Sequence, residues 1–319
     1  MTAYWTTTTT ARRPISVDEA FAYCANLTNA HYENFPVASL LLPAEKRPYL
    51  QAVYAFARIA DDFADEGHGE PQARLASLDD WNNQLALYHT SAMQGAPLKD
   101  GHPVFVALAE TIRRNQLPLE PLRDLLTAFK MDVTTRRYAT FGELLHYCRH
   151  SANPVGRLVL QIFGYQDKEL LELSDKICTA LQLANFWQDI SVDFQKNRIY
   201  IPMEDFANYG YTVDELAKGE MNDRFKNLIA FEIERTREMF YEGASLPSKV
   251  DKDLRLELKL VWFGGMAILK KTERYGVSIV RRRPSLNSFN KFMIFMRSLF
   301  YPDISTYRAK KLKDLWDLT

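Results

Sequence analysis

The chain has 319 residues, 47% of them hydrophobic, enough for one large core or for two domains. Its 40 acidic and 40 basic side chains cancel, which argues against nucleic acid as a partner. Cys24, Cys148 and Cys178 sit in no metal-ligand spacing and read as thiols of a reducing cytoplasm, and no run of about 18 uncharged apolar residues is available to span a membrane.

Residues 1–15 are Thr-rich without an apolar centre and read as a loose N-terminal tail, leaving 16–319 as the folded domain. Ser16-Val17-Asp18-Glu19 has the form of a capping box opening a helix toward Ala30. A loop from Asn34 to Pro43 precedes a long helix from Ala44 to about Glu66, stopped by Gly67 and Gly69. Apolar spacing predicts further helices over 72–91, 103–116, 119–134, 141–163, 167–193, 222–243, 251–275 and 286–299. With no period-two alternation, internal repeat or Pro/Gly-rich linker, the expected fold is one all-α domain of antiparallel helices.

Two of these helices carry acidic stripes. In the helix ending near Glu66, Tyr54, Arg58, Asp61, Asp62 and Asp65 share about a quarter-turn arc, while Phe56, Ile59, Ala60 and Phe63 cover the remainder. If the helix from 167 continues to about Phe194, Gln182, Asn185, Asp189 and Asp193 share one face, and Leu183, Ala184, Phe186, Trp187 and Ile190 occupy the others. Helices this apolar outside one stripe are expected to be internal, with their carboxylates turned into protein. One acidic run is usually a solvated face, but two on apolar helices, each with a nearby arginine, point to a site. Carboxylates without His or Cys pairs suit Mg2+, which can hold a diphosphate between the stripes as a leaving group. Lys196, Arg198 and Tyr200 then fall where a flap can close over it, and an apolar helical cavity can receive an allylic tail.

Tyr54-x-x-x-Arg58-x-x-Asp61-Asp62-x-x-Asp65, and Gln182-x-x-Asn185-x-x-x-Asp189-x-x-x-Asp193 followed by Arg198-x-Tyr200-x-Pro202, resemble the two signature motifs of the squalene and phytoene synthase family. The likeness runs from about His31 to about Arg283. Within that family, the wording at 34–39, 60–66, 151–157 and 184–189 is similar to the hydroxysqualene synthases of the bacterial hopanoid route. The resemblance implies an isoprenoid synthase fold around a central cavity. It further implies a Mg2+-dependent transferase that joins two farnesyl diphosphates head to head, through presqualene diphosphate, to hydroxysqualene by water capture without NADPH. Downstream hopanoid-pathway enzymes are then candidate partners. The alternatives are a dehydrosqualene or phytoene synthase, or a non-catalytic assembly factor on the same fold.

Carried over by position, Asp61, Asp62, Asp65, Asn185, Asp189 and Asp193 are the expected metal and diphosphate ligands. Arg58, Gln182, Lys196, Arg198 and Tyr200 are diphosphate or active-site contacts, His31 and Tyr54 touch substrate, and Tyr147 assists proton removal and cation handling. Two departures stand out. Gln188 replaces the arginine that usually precedes Asp189, and Ser151-Ala152-Asn153 replaces Val-Ala-Gly. Ser151 or Asn153 is expected either to position the quenching water or to break or cap the helix before Pro154. Residues 281–319 carry nine Lys or Arg against three Asp. This tail, with Phe292, Phe295, Leu299, Phe300 and Tyr301, suits either peripheral contact with an anionic membrane or a helix packed on the domain with its charges outward. One of Arg281 to Arg283 matches a diphosphate-binding arginine of the family, in a register the sequence leaves open.

Overall fold

The first helix begins at its capping box: the Ser16 hydroxyl and amide both reach the Glu19 carboxylate, and the Glu19 amide donates back to Ser16 Oγ. In this computed structural model, which describes residues 15–30, 41–65, 70–95, 101–301 and 303–308, thirteen α-helices follow one another. They are α1 (Val17–Ala30), α2 (Arg47–Asp65), α3 (Pro71–Met93), α4 (Pro103–Asn115), α5 (Glu120–Thr134), α6 (Phe141–Ser151), α7 (Asn153–Ile162), α8 (Lys168–Gln195), α9 (Met203–Asn208), α10 (Val213–Lys218), α11 (Asp223–Glu242), α12 (Lys252–Tyr275) and α13 (Ser288–Phe300). Among the described residues, β-structure is limited to one isolated parallel bridge between Arg137 and Ile199, and no helix is long and apolar enough to cross a membrane.

The helix expected over 141–163 is two helices. The break falls at Ala152, because Pro154 has no amide for the ladder and its ring collides with the carbonyl four residues back. Helices α9 and α10 were not visible in the pattern, since six residues give too little periodicity to register.

Two helices organise the rest. Helix α2 packs among α1, α3, α4 and α5, whereas α8 packs among α6, α7, α11 and α12, and α7 touches both. Fully buried tryptophans join these layers through their indole N–H groups, which cannot be left unpaired in the core. Trp81 donates to Phe56 O on α2 at 3.3 Å, and Trp187 of α8 to Thr236 Oγ1 on α11 at 2.8 Å. Trp262 of α12 donates to Phe240 O at 2.7 Å. At Gly265 a Cβ would stand 2.4 Å from the Phe240 ring and 2.7 Å from Leu181, so glycine sets how closely α12 approaches α8 and α11. One apolar core extends from Ala20 to Ile304, as a single domain requires. The three cysteines carry free thiols, and burial pushes those of Cys24 and Cys148 up to about 12. The tail expected over 1–15, save Ile15, lies outside the described residues, as do His31 and the expected loop up to residue 40.

Candidate active site

Both stripes form on the helices that the spacing assigned to them. On α2, one arginine serves two carboxylates: Arg58 reaches Asp61 at 3.3 Å and Asp62 at 2.5 Å. Burial lifts Asp61 to about 6, with the Asp65 charge adding to it and Arg58 opposing. On α8, Asp193 also rises to about 6, through burial first and then the charge of Asp189 one turn away. Asp189 is held by Arg283, whose Nη2 lies 3.1 Å from Oδ2. Gln182 is half-buried and Asn185 exposed.

The carboxylates are half-buried at a mouth rather than sealed in protein, and Arg58, Arg198 and Arg283 supply the opposing charge. Arg198 makes the decisive connection. It leaves the end of α8 and meets Asp65 of α2 at 2.5 Å, so the two stripes share one opening. Burial alone would raise the Asp65 carboxyl, but the bond and charge of Arg198, with Lys196 and Arg136 behind, hold it below the usual range.

The flap expected at 196–200 is a tethered segment. Asn197 turns the chain at φ 58°, and Arg198 N donates to Asp193 O at 2.9 Å. Next, Ile199 N donates to Arg136 O, Met203 N to Tyr138 O and Glu204 N to Ala139 O, at 2.9 to 3.0 Å. Tyr200 lies flat on Phe186 of α8, with ring centroids 3.8 Å apart and planes 6° from parallel. Lys196 stays exposed at its edge.

Tyr147 of α6 stands inside this frame, 5% exposed, beside the rings of Tyr138, Phe186 and Tyr200. Its hydroxyl donates to Asp132 Oδ2 on α5 at 3.1 Å. Burial drives the Tyr147 hydroxyl far above its ordinary range, and the Asp132 charge adds to that. Asp132 itself is lifted to about 7 by burial, against the opposing pull of Tyr147 and Arg198. Sequence reasoning missed Asp132, because it stands alone on α5 with no stripe to mark it.

Behind the α2 stripe lies a cavity of about 210 Å³ between α2, α5 and α7. Tyr54, Arg58 and Asp61 form its polar end, and Leu50, Leu125, Phe129, Val155 and Leu158 are among its apolar walls. The two polar departures before Pro154 separate here. Asn153 Oδ1 accepts from Thr179 Oγ1 of α8 at 2.9 Å, which ties α7 to α8. Ser151 Oγ, one turn beyond Tyr147, is buried without a hydrogen-bond partner. Gln188 turns away from the stripe, is 7% exposed, and donates from Nε2 to Pro284 O at 2.6 Å. This contact resolves the arginine register. Arg283 points at Asp189, Arg281 donates to Gly219 O, and Arg282 lies over the Tyr275 ring.

Among the described residues, no three His, Cys, Asp or Glu side chains converge into a metal cage. The donors are nevertheless hard carboxylate oxygens on two sides of one mouth, and Mg2+ commonly binds through one or two carboxylates plus substrate phosphate. The set therefore fits an ion held together with a diphosphate.

Comparison with known proteins agrees with this geometry. The family described as squalene/phytoene synthase matches residues 28–290. The structure resembles that of the squalene synthase HpnC from Alicyclobacillus acidocaldarius with a TM-score of 0.75 and 42% identity, over 82% of this chain and 96% of that one. A hydroxysqualene synthase of Zymomonas mobilis is 35% identical over 233 residues, 72% of this chain and 75% of its own. A phytoene synthase of Arthrospira platensis is 28% identical over 295 residues, 88% of this chain and 93% of its own. Two acidic stripes on α2 and α8 joined at one mouth, a tyrosine within reach and a match across most of the length together make this chain a member of the squalene/phytoene synthase family.

Proposed function

We propose that this chain is a transferase that condenses two farnesyl diphosphates head to head to presqualene diphosphate and carries it on to hydroxysqualene. The observation that carries the reading is the Arg198–Asp65 contact, which brings both stripes to one mouth in front of an apolar cavity. Arg198 Nε is buried without an acceptor, a donor suited to a diphosphate oxygen. Asp61, Asp62, Asp65, Asn185, Asp189 and Asp193 would hold Mg2+, which supplies Lewis-acid neutralisation of the leaving diphosphate when bound. Arg58, Lys196, Arg198, Tyr200 and Arg283 bind and orient the diphosphates, while Tyr54, Gln182 and His31 contact substrate.

In this reading the proton lost as the cyclopropane closes passes to Tyr147, which hands its own to Asp132 as an acceptor. The aromatic walls around Tyr147 exclude bulk water from the cation. Ser151 Oγ, lacking a protein partner, holds the one water whose oxygen bonds to the final cation, and the proton that water loses passes to the released diphosphate. No reductant enters the sequence.

The hydroxysqualene synthase at 35% identity supports the hydroxysqualene product, the squalene synthase at 42% supports a squalene-type condensation, and the longer match to a phytoene synthase favours the second reading, a phytoene or dehydrosqualene synthase. Incubation with farnesyl or geranylgeranyl diphosphate and Mg2+, without NADPH, separates them. A C30 alcohol from farnesyl diphosphate is expected. Phytoene or a conjugated C30 triene rejects that product, and no diphosphate release from either substrate rejects catalysis.

A further inference from the structure

Helix α13 presents its phenylalanines to the outside together with Lys291. Ile294 and Ser298 are buried where α13 packs on α12, whereas Phe289, Phe292, Phe295, Leu299 and Phe300 are 36% to 74% exposed. Single exposed apolar side chains are ordinary, but five recurring at helical spacing on one helix make a surface that water solvates poorly.

The charge beside that surface has one sign. The basic residues of this end of α12 and of α13 are Lys270, Lys271, Arg274, Lys291 and Arg297, with one Glu among them, in a chain whose total charge is zero; Arg281 and Arg283 turn instead to Gly219 and Asp189. The one acid, Glu273, is engaged by Arg237 of α11. Lys270, Lys271, Arg274 and Arg297 line a cleft of about 150 Å³ between α12 and α13, with Phe289 and Met293 beside them.

We propose that this face seats the protein on an anionic lipid surface. The phenylalanines enter the boundary between headgroups and acyl chains, and the cations meet lipid phosphate. Charge complementarity selects this occupant. A second copy related by a two-fold axis would bring the same cations against themselves, with no acid on α13 to offset them. An acidic protein would satisfy the cations but would also need an apolar groove matched to the phenylalanines. A bilayer meets both demands without shape matching. The inference rests on α12 and α13 and does not depend on the prenyl-transfer reading.

Flotation of the full chain with phosphatidylcholine vesicles containing rising fractions of phosphatidylglycerol tests it. Binding is expected to grow with the anionic fraction and to weaken with salt. Phe292→Ser/Phe295→Ser/Phe300→Ser should lower partitioning by roughly ten-fold or more. Lys270→Gln/Arg274→Gln should lower it by roughly five-fold per charge at low salt. Both variants should keep the wild-type circular dichroism and the turnover of detergent-dispersed substrate. Absence of flotation at the highest anionic fraction overturns the proposal. So does equal flotation of the folded triple variant, or loss of binding only when residues 309–319 are removed. A wild-type dimer that the phenylalanine variant dissociates assigns the face to a second copy and also overturns it.

Discussion

Gln188 donates to the carbonyl of Pro284 at 2.6 Å across 96 residues of chain, while the adjacent Asp189 receives the guanidinium of Arg283. Two neighbours on α8 thus hold two neighbours on the segment before α13. The glutamine that appeared to remove a positive charge instead fixes the backbone that delivers one. Gln188→Leu keeps the bulk and strands the Pro284 carbonyl, at a cost of about 1–3 kcal/mol. The expected outcome is a lower Tm together with a several-fold rise in KM for the prenyl diphosphate, in the direction of Arg283→Ala. A lower Tm with unchanged KM would make Gln188 merely structural.

Asp132 should give the fold a distinctive pH response. Its carboxyl is lifted from 3.8 to about 7, chiefly by burial, so the folded chain keeps this proton after the unfolded chain has released it. Its contribution to stability is complete below about pH 4 and is lost as pH rises through about 7, on the order of 4 kcal/mol at most. Asp132→Asn, which still accepts from Tyr147, should flatten the decline of Tm between about pH 5 and 7.5. A decline equal to that of the wild type would show that other groups carry it.

The pairing of carboxylates with arginines at the mouth bears on how the proposed ligands would bind. If the proposed function holds, Mg2+ and inorganic diphosphate together should raise Tm by several degrees, and each alone by much less, because the arginines and carboxylates at the mouth neutralise one another and either ligand alone would have to break those pairs. Differential scanning fluorimetry with each ligand and with the pair measures this. A full shift with Mg2+ alone would indicate a preassembled metal site.

Gly265→Ala tests the packing that sets how closely α12 approaches α8 and α11. The added methyl meets the Phe240 ring and Leu181, with no void to enter, and should cost roughly 1–3 kcal/mol. Chemical denaturation should give a lower midpoint at an unchanged slope. An unchanged midpoint would mean that α12 shifts freely against α8 and α11.

The pattern of apolar residues was enough to locate the long helices and both acidic stripes, since each spans several turns and repeats its signal. It failed where the signal was short or single. Six-residue α9 and α10 carry too few turns, and Pro154 splits a run whose hydrophobic spacing continues across it. Asp132 is one carboxylate on an amphipathic helix and acquires meaning only beside Tyr147. Arg281, Arg282 and Arg283 are equivalent in composition; a 3-10 turn over Gly276–Val280 and the Gln188 contact decide which one faces Asp189. Likewise, Ser151 and Asn153 look alike in sequence and diverge because only Asn153 meets Thr179.

The backbone bonds between 136–139 and 199–204 have a mechanical meaning. Phe141 N, in the first turn of the helix that bears Tyr147, donates to Glu204 Oε1 at 2.6 Å. Arg198 and Tyr147 are therefore carried by one braced frame, and a displacement of either transmits to the other without passing through the cavity. A one-residue insertion between Arg136 and Phe141 would put both out of alignment together, so the segment that carries Arg198 and the helix that carries Tyr147 behave as a single calibrated part.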